Sequence, residues 1–307
     1  MPRSEARDVP ISLSKSLSVI GDPWTLHILK ESFLGTRRFQ DFQSRLGIPR
    51  QTLILRLRQM VINQLYYKKP VQHRRLIFEY RLTPKGVDLY SMILGVWRWH
   101  KHWHQTPHHL PEQLIHTSCG HQITPEFVCR SCTGSVKAGE LSFAARFPNT
   151  KFAPPATRRT RIVNQYQSKA ANEMVTVIVG DGWSLLVLNA IINRVITFDA
   201  LQKTLGISNN VLSTRIKMLS SLNLLTQNQS TTDKRMIHYD TTPMGKDVYP
   251  VIVSLLQWGD RWLAGNNGPA DLIKHKSCGS IEGFVMVCDH CNRRLYMEDV
   301  RQGRLMG

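Results

Sequence analysis

The chain has 307 residues, of which 42% are hydrophobic, and it carries a formal net charge of +18 at pH 7. This length exceeds that of one ordinary domain, and the apolar content is sufficient for two buried cores. The sequence contains no run of eighteen apolar residues, and its N-terminus, MPRSEARDVP, lacks the apolar segment of a secretion signal. These features argue against a membrane span and predict a cytoplasmic protein, in which paired cysteines are more often metal ligands or redox thiols than disulfides.

The sequence repeats itself at a constant offset of 159 residues, for example between Cys119 and Cys278 (278 − 119 = 159). This register holds without a gap over more than 100 positions, as expected of a tandem duplication. We therefore expect one structural unit to occur twice, as repeat one (12–143) and repeat two (172–303). The predicted segments are 12–105, 110–143, 144–171, 172–265 and 270–303.

Repeat one opens with apolar residues at three- and four-residue spacings that end at Gly35, which predicts an amphipathic helix. A short helix over RRFQDFQSRLG and a tight turn at Gly47 precede a further helix over RQTLILRLRQMVINQ. Two alternating segments, LYYKKPV and RLIFEYRLT, predict a β-hairpin, and Thr83 opens a last helix that runs toward Trp103. This order is typical of a winged helix-turn-helix with an added C-terminal helix.

Repeat two has the same order of elements over 172–265, with SNNVLSTRIKMLSSL as the counterpart of the second helix of the helix-turn-helix. A cysteine-containing segment follows each of these domains, over 110–143 and 270–303. The predicted fold class is mainly α with small β wings (α+β), with two winged helix-turn-helix domains, each followed by a small zinc-ribbon-like segment. Residues 144–171 contain six basic and no acidic residues together with Pro154-Pro155, which predicts an exposed basic linker.

Each cysteine segment has the pattern H-x2-C-x9-C-x2-C. Four soft-to-borderline ligands grouped two and two can form a tetrahedral cage that zinc favours and that has no open catalytic position. We therefore predict one structural Zn²⁺ site within each repeat. A redox-responsive thiol site and buried cysteines without metal are the alternatives. The predicted ligands are His116, Cys119, Cys129 and Cys132 in repeat one, and His275, Cys278, Cys288 and Cys291 in repeat two.

The basic excess is concentrated in the first third of the chain. Residues 1–105 carry 18 Lys/Arg against 7 Asp/Glu, whereas residues 172–265 carry 8 against 7. Such a concentration predicts a polyanionic partner, with a merely solvated basic surface as the alternative. We expect repeat one to supply most of the electrostatic affinity for double-stranded DNA, and repeat two to contribute pairing or a weaker half-site.

The segments GDPWTLHIL, RRFQDF, LGIPRQTLILRLRQM and EYRLTPKG resemble the HxlR-type winged helix-turn-helix transcriptional regulators of bacteria. The resemblance covers residues 12–105 and 172–264 and implies a regulator that binds double-stranded DNA. Members of that family are typically small, carry one such domain and dimerise through their terminal helices. This sequence departs from them in two ways, because Ile11 to Leu17 lacks the cysteine that many relatives have before the first helix, and because one chain holds two domains. The second departure leaves both an internal pseudo-dimer and a homodimer open.

The candidate DNA contacts follow from the geometry of the helix-turn-helix. The first turns of its second helix reach the major groove, where Arg, Gln and Asn read base edges, and wing residues meet phosphates or the minor groove. Arg56 and Arg215 recur in both repeats, and they could equally hold this helix to the wing. The candidates are Arg50, Gln51, Thr52, Arg56, Arg58, His73, Arg74 and Arg75 in repeat one, and Asn209, Asn210, Ser213, Arg215, Lys217, Lys234 and Arg235 in repeat two.

Enzymatic chemistry finds no support in the sequence, which has no phosphate-binding glycine loop, no plausible triad and no paired carboxylates in a recognisable frame. The sequence therefore predicts a sequence-specific DNA-binding transcriptional regulator that is not an enzyme. One alternative is a thiol- or metal-responsive regulatory switch. Another is a protein-interaction scaffold whose second DNA-binding domain is degenerate.

Overall fold

The structure is a computed structural model that describes residues 11–71, 74–103, 110–145, 179–230, 235–265, 268–269 and 271–303. Within these ranges, no helix has the length and apolar character that a membrane span requires. The predicted linker enters the described residues only at positions 144 and 145, and the candidate contacts His73 and Lys234 lie outside them.

Repeat one contains the predicted helix-turn-helix and hairpin, followed by short strands, but its first and last predicted helices are each divided in two, with breaks at residues 21–22 and 88–89. Its winged helix-turn-helix consists of α1 (Ile11–Ile20), α2 (Pro23–Phe33), α3 (Phe39–Leu46), α4 (Arg50–Ile62), β1 (Tyr66–Val71), β2 (Arg74–Leu82), α5 (Pro84–Val87) and α6 (Tyr90–Trp103). Its cysteine segment consists of β3 (Gln113–His116), β4 (Gln122–Ile123), β5 (Glu126–Cys129) and β6 (Leu141–Ala145).

Repeat two has the same order of elements, which confirms the α+β class and the two winged helix-turn-helix folds. The helical domain consists of α7 (Gly182–Ile192), α8 (Phe198–Leu205), α9 (Asn209–Ser221), β7 (Leu225–Gln229), β8 (Ile237–Thr241), α10 (Pro243–Lys246) and α11 (Tyr249–Trp262). The cysteine segment consists of β9 (Asp271–His275), β10 (Phe284–Val287), a 3-10 turn (Met297–Asp299) and β11 (Val300–Gly303).

The helix-turn-helix of repeat one is held by caps and by one apolar side of α4. Asp22 accepts a hydrogen bond from the Thr25 backbone N–H, and Pro23 occupies the first helical position of α2. α3 ends at Gly47, whose φ of 59° lies in the left-handed region that favours glycine. The inner side of α4 is fully buried at Leu53 and Leu57. The outer side of α4 is consequently free to face a partner.

Each wing is an antiparallel hairpin that continues into a tightly packed turn. In repeat one, β1 pairs with β2 from Tyr66↔Leu82 to a register shift next to Pro70. The helix that follows begins at the Thr83 cap, and a Cβ on Gly86 would lie 2.3 Å from the Leu65 carbonyl oxygen. The corresponding Cβ on Gly245 would lie 2.2 Å from a backbone oxygen. The T-P-x-G motif therefore reflects a contact that only glycine permits.

The chain divides into two compact units, and neither unit coincides with a repeat. Among the described residues, the first unit holds 11–18, 127–145 and 182–285. The second unit holds 19–126, 179–181 and 286–303. Each unit therefore combines the winged helix-turn-helix of one repeat with the last cysteines and strand of the other.

The first unit also contains the start of α1, which packs on α11 of repeat two. The Ser16 hydroxyl donates to the Leu255 carbonyl at 2.8 Å, and the Ser12 hydroxyl lies 2.5 Å from an Asp260 carboxylate oxygen. A Cβ on Gly259 would lie 2.3 Å from the Ser12 carbonyl oxygen. The absence of a side chain at this position therefore allows the two helices to touch.

Candidate DNA-binding surface and metal centres

The outer side of α4 presents polar and basic side chains from its first turn onward. Arg50, Gln51 and Arg58 are exposed, and Thr52 is half-buried. The Arg50 guanidinium lies 5.3 Å from the centre of the Phe39 ring of α3, which restricts its position. Arg50, Gln51 and Thr52 therefore lie in the first turn of α4, and Arg58 follows two turns later.

Arg56 is positioned differently from the other candidates. Its guanidinium makes an ion pair with the Asp22 carboxylate at 2.7 Å, and the two side chains are only 19% and 23% exposed. The other oxygen of Asp22 caps α2. Arg56 therefore connects α4 to the start of α2, which favours a structural role over a DNA contact.

Two apolar side chains, which we did not predict as contacts, lie among the exposed residues of α4. Ile54 is 39% exposed and Leu55 is 63% exposed. A large exposed aliphatic side chain in the first turns of this helix suits the methyl group of thymine. The signal in the sequence was their spacing, because both lie outside the stripe formed by Leu53 and Leu57.

α9 of repeat two has the same buried side but a different outer surface. Asn209, Asn210 and Lys217 are exposed, whereas Ser213 and Arg215 are half-buried. Repeat two thus presents amides where repeat one presents Arg50 and Gln51.

The wings also differ between the repeats. Arg74 and Arg75 lie in β2, and Arg235 is exposed just before β8. Lys68 and Lys69 of β1 are exposed as well, although we did not predict them as contacts. Their counterparts 159 positions later are uncharged, namely Gln227 and Asn228. The Lys-Lys pair in a predicted wing strand was the signal for these residues.

The eight predicted metal ligands form two clusters, but their grouping differs from the prediction. Within each cluster all four ligand atoms lie within 4.8 Å of one another. The sequence predicted one site within each repeat, and this is wrong, because each cluster joins the His-x2-Cys turn of one repeat to the Cys-x2-Cys turn of the other. Cluster one consists of His116, Cys119, Cys288 and Cys291, and cluster two consists of Cys129, Cys132, His275 and Cys278.

The two clusters have nearly the same geometry. In cluster one, His116 Nδ1 lies 3.3 Å from Cys119 Sγ and 3.4 Å from Cys291 Sγ. In cluster two, His275 Nδ1 lies 3.3 Å from Cys278 Sγ and 3.4 Å from Cys132 Sγ. A sulfur–sulfur distance of 3.8 Å joins the two halves of each cluster, from Cys119 to Cys288 and from Cys129 to Cys278.

Tight backbone turns present the ligands of each half. The Gly120 N–H donates to the His116 carbonyl at 2.8 Å, and Gly120 has a φ of 74°. In the other half of cluster one, the Asn292 N–H donates to the Cys288 carbonyl at 2.9 Å. Such turns direct two ligands of a short motif toward a single point.

The protonation of the thiols reflects how closely they are packed. Burial raises the pKa of Cys288 to about 11, and the neighbouring thiols of Cys291 and Cys119 add to this rise. The Arg293 backbone N–H is the main cause of a lowered pKa at Cys291. Thiols this close cannot all ionise without a compensating cation, so the cluster is suited to hold a metal ion.

Two nearby histidines do not belong to a cluster. The rings of His121 and His290 stack with their centres 4.4 Å apart, and neither residue is among the grouped ligands of the described chain. Their counterparts at the 159-residue offset are Ser280 and Ser131. The hydroxyl oxygens of these two serines lie 2.6 Å apart, so the same two positions also meet in the other unit. The positions are therefore paired in both units, whereas the imidazole rings occur in one.

Comparison with a protein family and with two related regulators agrees with this architecture. The model of the HxlR-like helix-turn-helix family matches residues 19–108 and 178–267. The HTH-type transcriptional regulators Mb3122 of Mycobacterium bovis and Rv3095 of Mycobacterium tuberculosis are each 37% identical over 131 residues, which cover 43% of this chain and 83% of the relative. The crystal structure of PA1607, described as a candidate transcription factor, has 31% identity and a TM-score of 0.35, and the match covers 40% of this chain and 86% of that chain.

Proposed function

Because this chain belongs to the HxlR-like helix-turn-helix family, we propose that it regulates transcription by placing the first turns of α4 and α9 in the major groove of double-stranded DNA. The observation that carries this proposal is the two-sided character of α4. Its inner side is buried at Leu53 and Leu57, whereas Arg50 and Gln51 stand exposed on the other.

Each candidate residue has a role that its chemistry suits. Arg50 can donate two hydrogen bonds to a guanine, and Gln51, like Asn209 and Asn210, can make a paired contact with an adenine. Thr52 and Ser213 can donate to base edges, whereas Arg58 and Lys217 suit phosphates. The basic wing residues suit phosphates or the minor groove, and they are Lys68, Lys69, His73, Arg74, Arg75, Lys234 and Arg235.

The proposed regulator acts in the bacterial cytoplasm, where its DNA is found. The two domains of one chain form an internal pseudo-dimer that covers two half-sites, in place of the homodimer of single-domain relatives. α4 and α9 are the reading helices of this scheme. Arg56 holds α4 in position through its ion pair with Asp22, and its counterpart Arg215 is assigned the same role in α9 by the repeat alone.

We propose Zn²⁺ as the ion of both clusters. With zinc–sulfur and zinc–nitrogen bonds of ordinary length, a tetrahedron has edges of about 3.8 Å between two sulfurs and about 3.6 Å between sulfur and nitrogen. The 3.8 Å sulfur–sulfur distance and the 3.3 Å His116–Cys119 distance are close to these values. Four protein ligands leave no open position, so the sites are structural rather than catalytic.

A thiol-responsive switch is the second candidate function, and the exposure of cluster two favours it. Cys132 and Cys278 are exposed, whereas Cys119 and Cys291 of cluster one are half-buried. Oxidation of exposed thiolates would remove zinc ligands from cluster two first. Zinc released during a peroxide titration would measure this, and simultaneous release from both clusters would contradict it.

Selection of bound duplexes from a random pool, with heparin as competitor, tests the main proposal. The intact protein should enrich a defined sequence, and Arg50→Ala should alter that sequence. Gln59→Ala is a matched control, because Gln59 is exposed farther along α4 and hydrogen-bonds to Asn63. Lack of any preference for duplex DNA over heparin at low ionic strength would contradict DNA reading and favour the scaffold alternative.

A further inference from the structure

We propose that the two zinc ions act as clasps, each of which ties one repeat to the other. This inference rests on the zinc sites proposed above but does not depend on DNA binding. Cluster one joins residues 169 positions apart at Cys119 and Cys288, and cluster two joins residues 149 positions apart at Cys129 and Cys278. Each ion therefore closes a contact between two copies of the duplicated unit.

The strands beside each cluster are also paired between the repeats, and each pair contains one strand from each repeat. We call this arrangement the exchange. β3 pairs with β11 so that His116 lies opposite Val300, and β6 pairs with β9 so that Leu141 lies opposite His275. Val300 is the counterpart of Leu141 in the other repeat (141 + 159 = 300). The same pairing is therefore made twice, with the roles of the repeats interchanged.

The backbone hydrogen bonds at the end of each of these strand pairs are also equivalent, residue for residue. The Thr117 N–H donates to the Asp299 carbonyl at 2.8 Å. The Lys276 N–H donates to the Glu140 carbonyl at 2.9 Å. Both the donors and the acceptors are 159 positions apart (117 + 159 = 276; 140 + 159 = 299). An accidental contact would not recur in this register.

The strands alone are too short to keep the two repeats joined at the clusters. β3 and β11 have four residues each, and β4 has two. Segments of this size bury little apolar area and ordinarily require a metal or a disulfide for stability. Because the binding free energy of a structural zinc ion becomes folding free energy, occupancy of the clusters controls whether the repeats remain joined there.

One contact between the two repeats involves no metal ligand and serves as an internal control for the loss of zinc. α1 of repeat one packs on α11 of repeat two through the Ser16–Leu255 hydrogen bond, and no cysteine takes part in it. Loss of the ions should therefore open the ribbon segments and leave this helical contact in place.

Two variants with the same composition of replaced residues distinguish exchanged from local sites. H116A/C119A/C288A/C291A removes all of cluster one, and H116A/C119A/C129A/C132A removes all ligands of repeat one. Each replaces one histidine and three cysteines. If each site is shared between the repeats, the unmodified protein should bind two zinc ions per chain, the first variant one and the second variant none. Mass spectrometry of the native protein measures the number of bound ions. None in the first variant and one in the second would overturn the exchange.

The unmodified chain offers a second measurement in case a variant fails to fold. Brief treatment of the folded, metal-loaded protein with a disulfide-forming oxidant, followed by digestion and mass spectrometry, should recover Cys119 bonded to Cys288 and Cys129 bonded to Cys278. Bonds from Cys119 to Cys129 and from Cys278 to Cys288 would overturn the clasp. A protein without metal would overturn the zinc proposal and the clasp together, whereas DNA reading would be unaffected.

Discussion

Repeats one and two share a scaffold but differ in what they present to DNA. The buried side of the reading helix is apolar in both, with Leu53 and Leu57 in α4 and Leu212 and Ile216 in α9. The outer side changes from arginine, glutamine and aliphatic residues in α4 to asparagine, serine and threonine in α9. Packing has constrained one side of a duplicated helix, whereas the other has been free to diverge. A chain of this kind is expected to recognise two unlike half-sites.

Removal of zinc should have the largest effect, and it tests what the repeats share. A strong chelator at neutral pH should melt both ribbon segments together, because structural zinc supplies about 10–16 kcal/mol of binding free energy in small zinc domains. Hydrogen exchange measured with and without the chelator should show lost protection in β3, β6, β9 and β11. Protection that persists in one pair of strands would show that its cluster is not metal-dependent.

Substitution of the reading helices should have the next largest effect, and it tests how they differ. R50A/Q51A should weaken specific binding by about 2–4 kcal/mol, or about 30- to 1000-fold, because each paired base contact contributes about 1–3 kcal/mol. N209A/N210A should cost less than about tenfold, because repeat two carries a smaller basic excess. Titration of a labelled duplex measures both. Equal losses of affinity in the two double variants would show that the two repeats contribute equally to DNA binding.

Substitution of the turn glycines should affect both repeats alike. A Cβ at Gly86 or Gly245 would press on a backbone oxygen, so G86A and G245A should each destabilise the protein by about 1–3 kcal/mol in urea unfolding. G47A is a control of another kind, because no atom lies within 4 Å of its new Cβ and only the left-handed backbone costs about 1–2 kcal/mol. A marked difference between G86A and G245A would show that one repeat packs more loosely.

Loss of Asp22 should have a smaller effect that separates its two interactions. D22A should cost about 1–2 kcal/mol through the lost cap, and more because Arg56 loses its partner. D22N retains an acceptor for the Thr25 N–H and should recover most of the cap. Urea unfolding measures both variants. Equal stability of D22N and the unmodified protein would mean that the ion pair contributes nothing, whereas equal stability of D22A and D22N would mean that the cap contributes nothing.

The wings should give the smallest effect, visible as a change in salt dependence. K68A/K69A should reduce the slope of log affinity against log salt by about 1.8, because each neutralised phosphate contributes about 0.9. Q227A/N228A alters the same positions of repeat two and should leave the slope unchanged. A slope unaffected by K68A/K69A would place the wing of repeat one away from the phosphates.

Much of this architecture could be predicted from the sequence because its signals are local. Apolar periodicity identifies α4 by Leu53 and Leu57, and the constant offset identifies all eight ligand candidates. The grouping of the ligands could not be predicted. Spacing along the chain suggests that Cys119 and Cys129 share one site, whereas the pairing of strands from the two repeats places Cys119 beside Cys288. The role of Arg56 was equally hidden, because the sequence does not show that Asp22 lies beside it.

Because each cluster takes ligands from both repeats, neither cluster can be completed until its ligands in repeat two have been synthesised. Cys132 leaves the ribosome 143 residues before His275, and Cys119 leaves it 169 residues before Cys288. At about 5–20 residues per second, the thiols of repeat one wait about 7–34 s for their partners. A chain that stops before Cys288 leaves cluster one without half of its ligands, although the whole of repeat one has been made. Translation through Cys291 is therefore what completes cluster one.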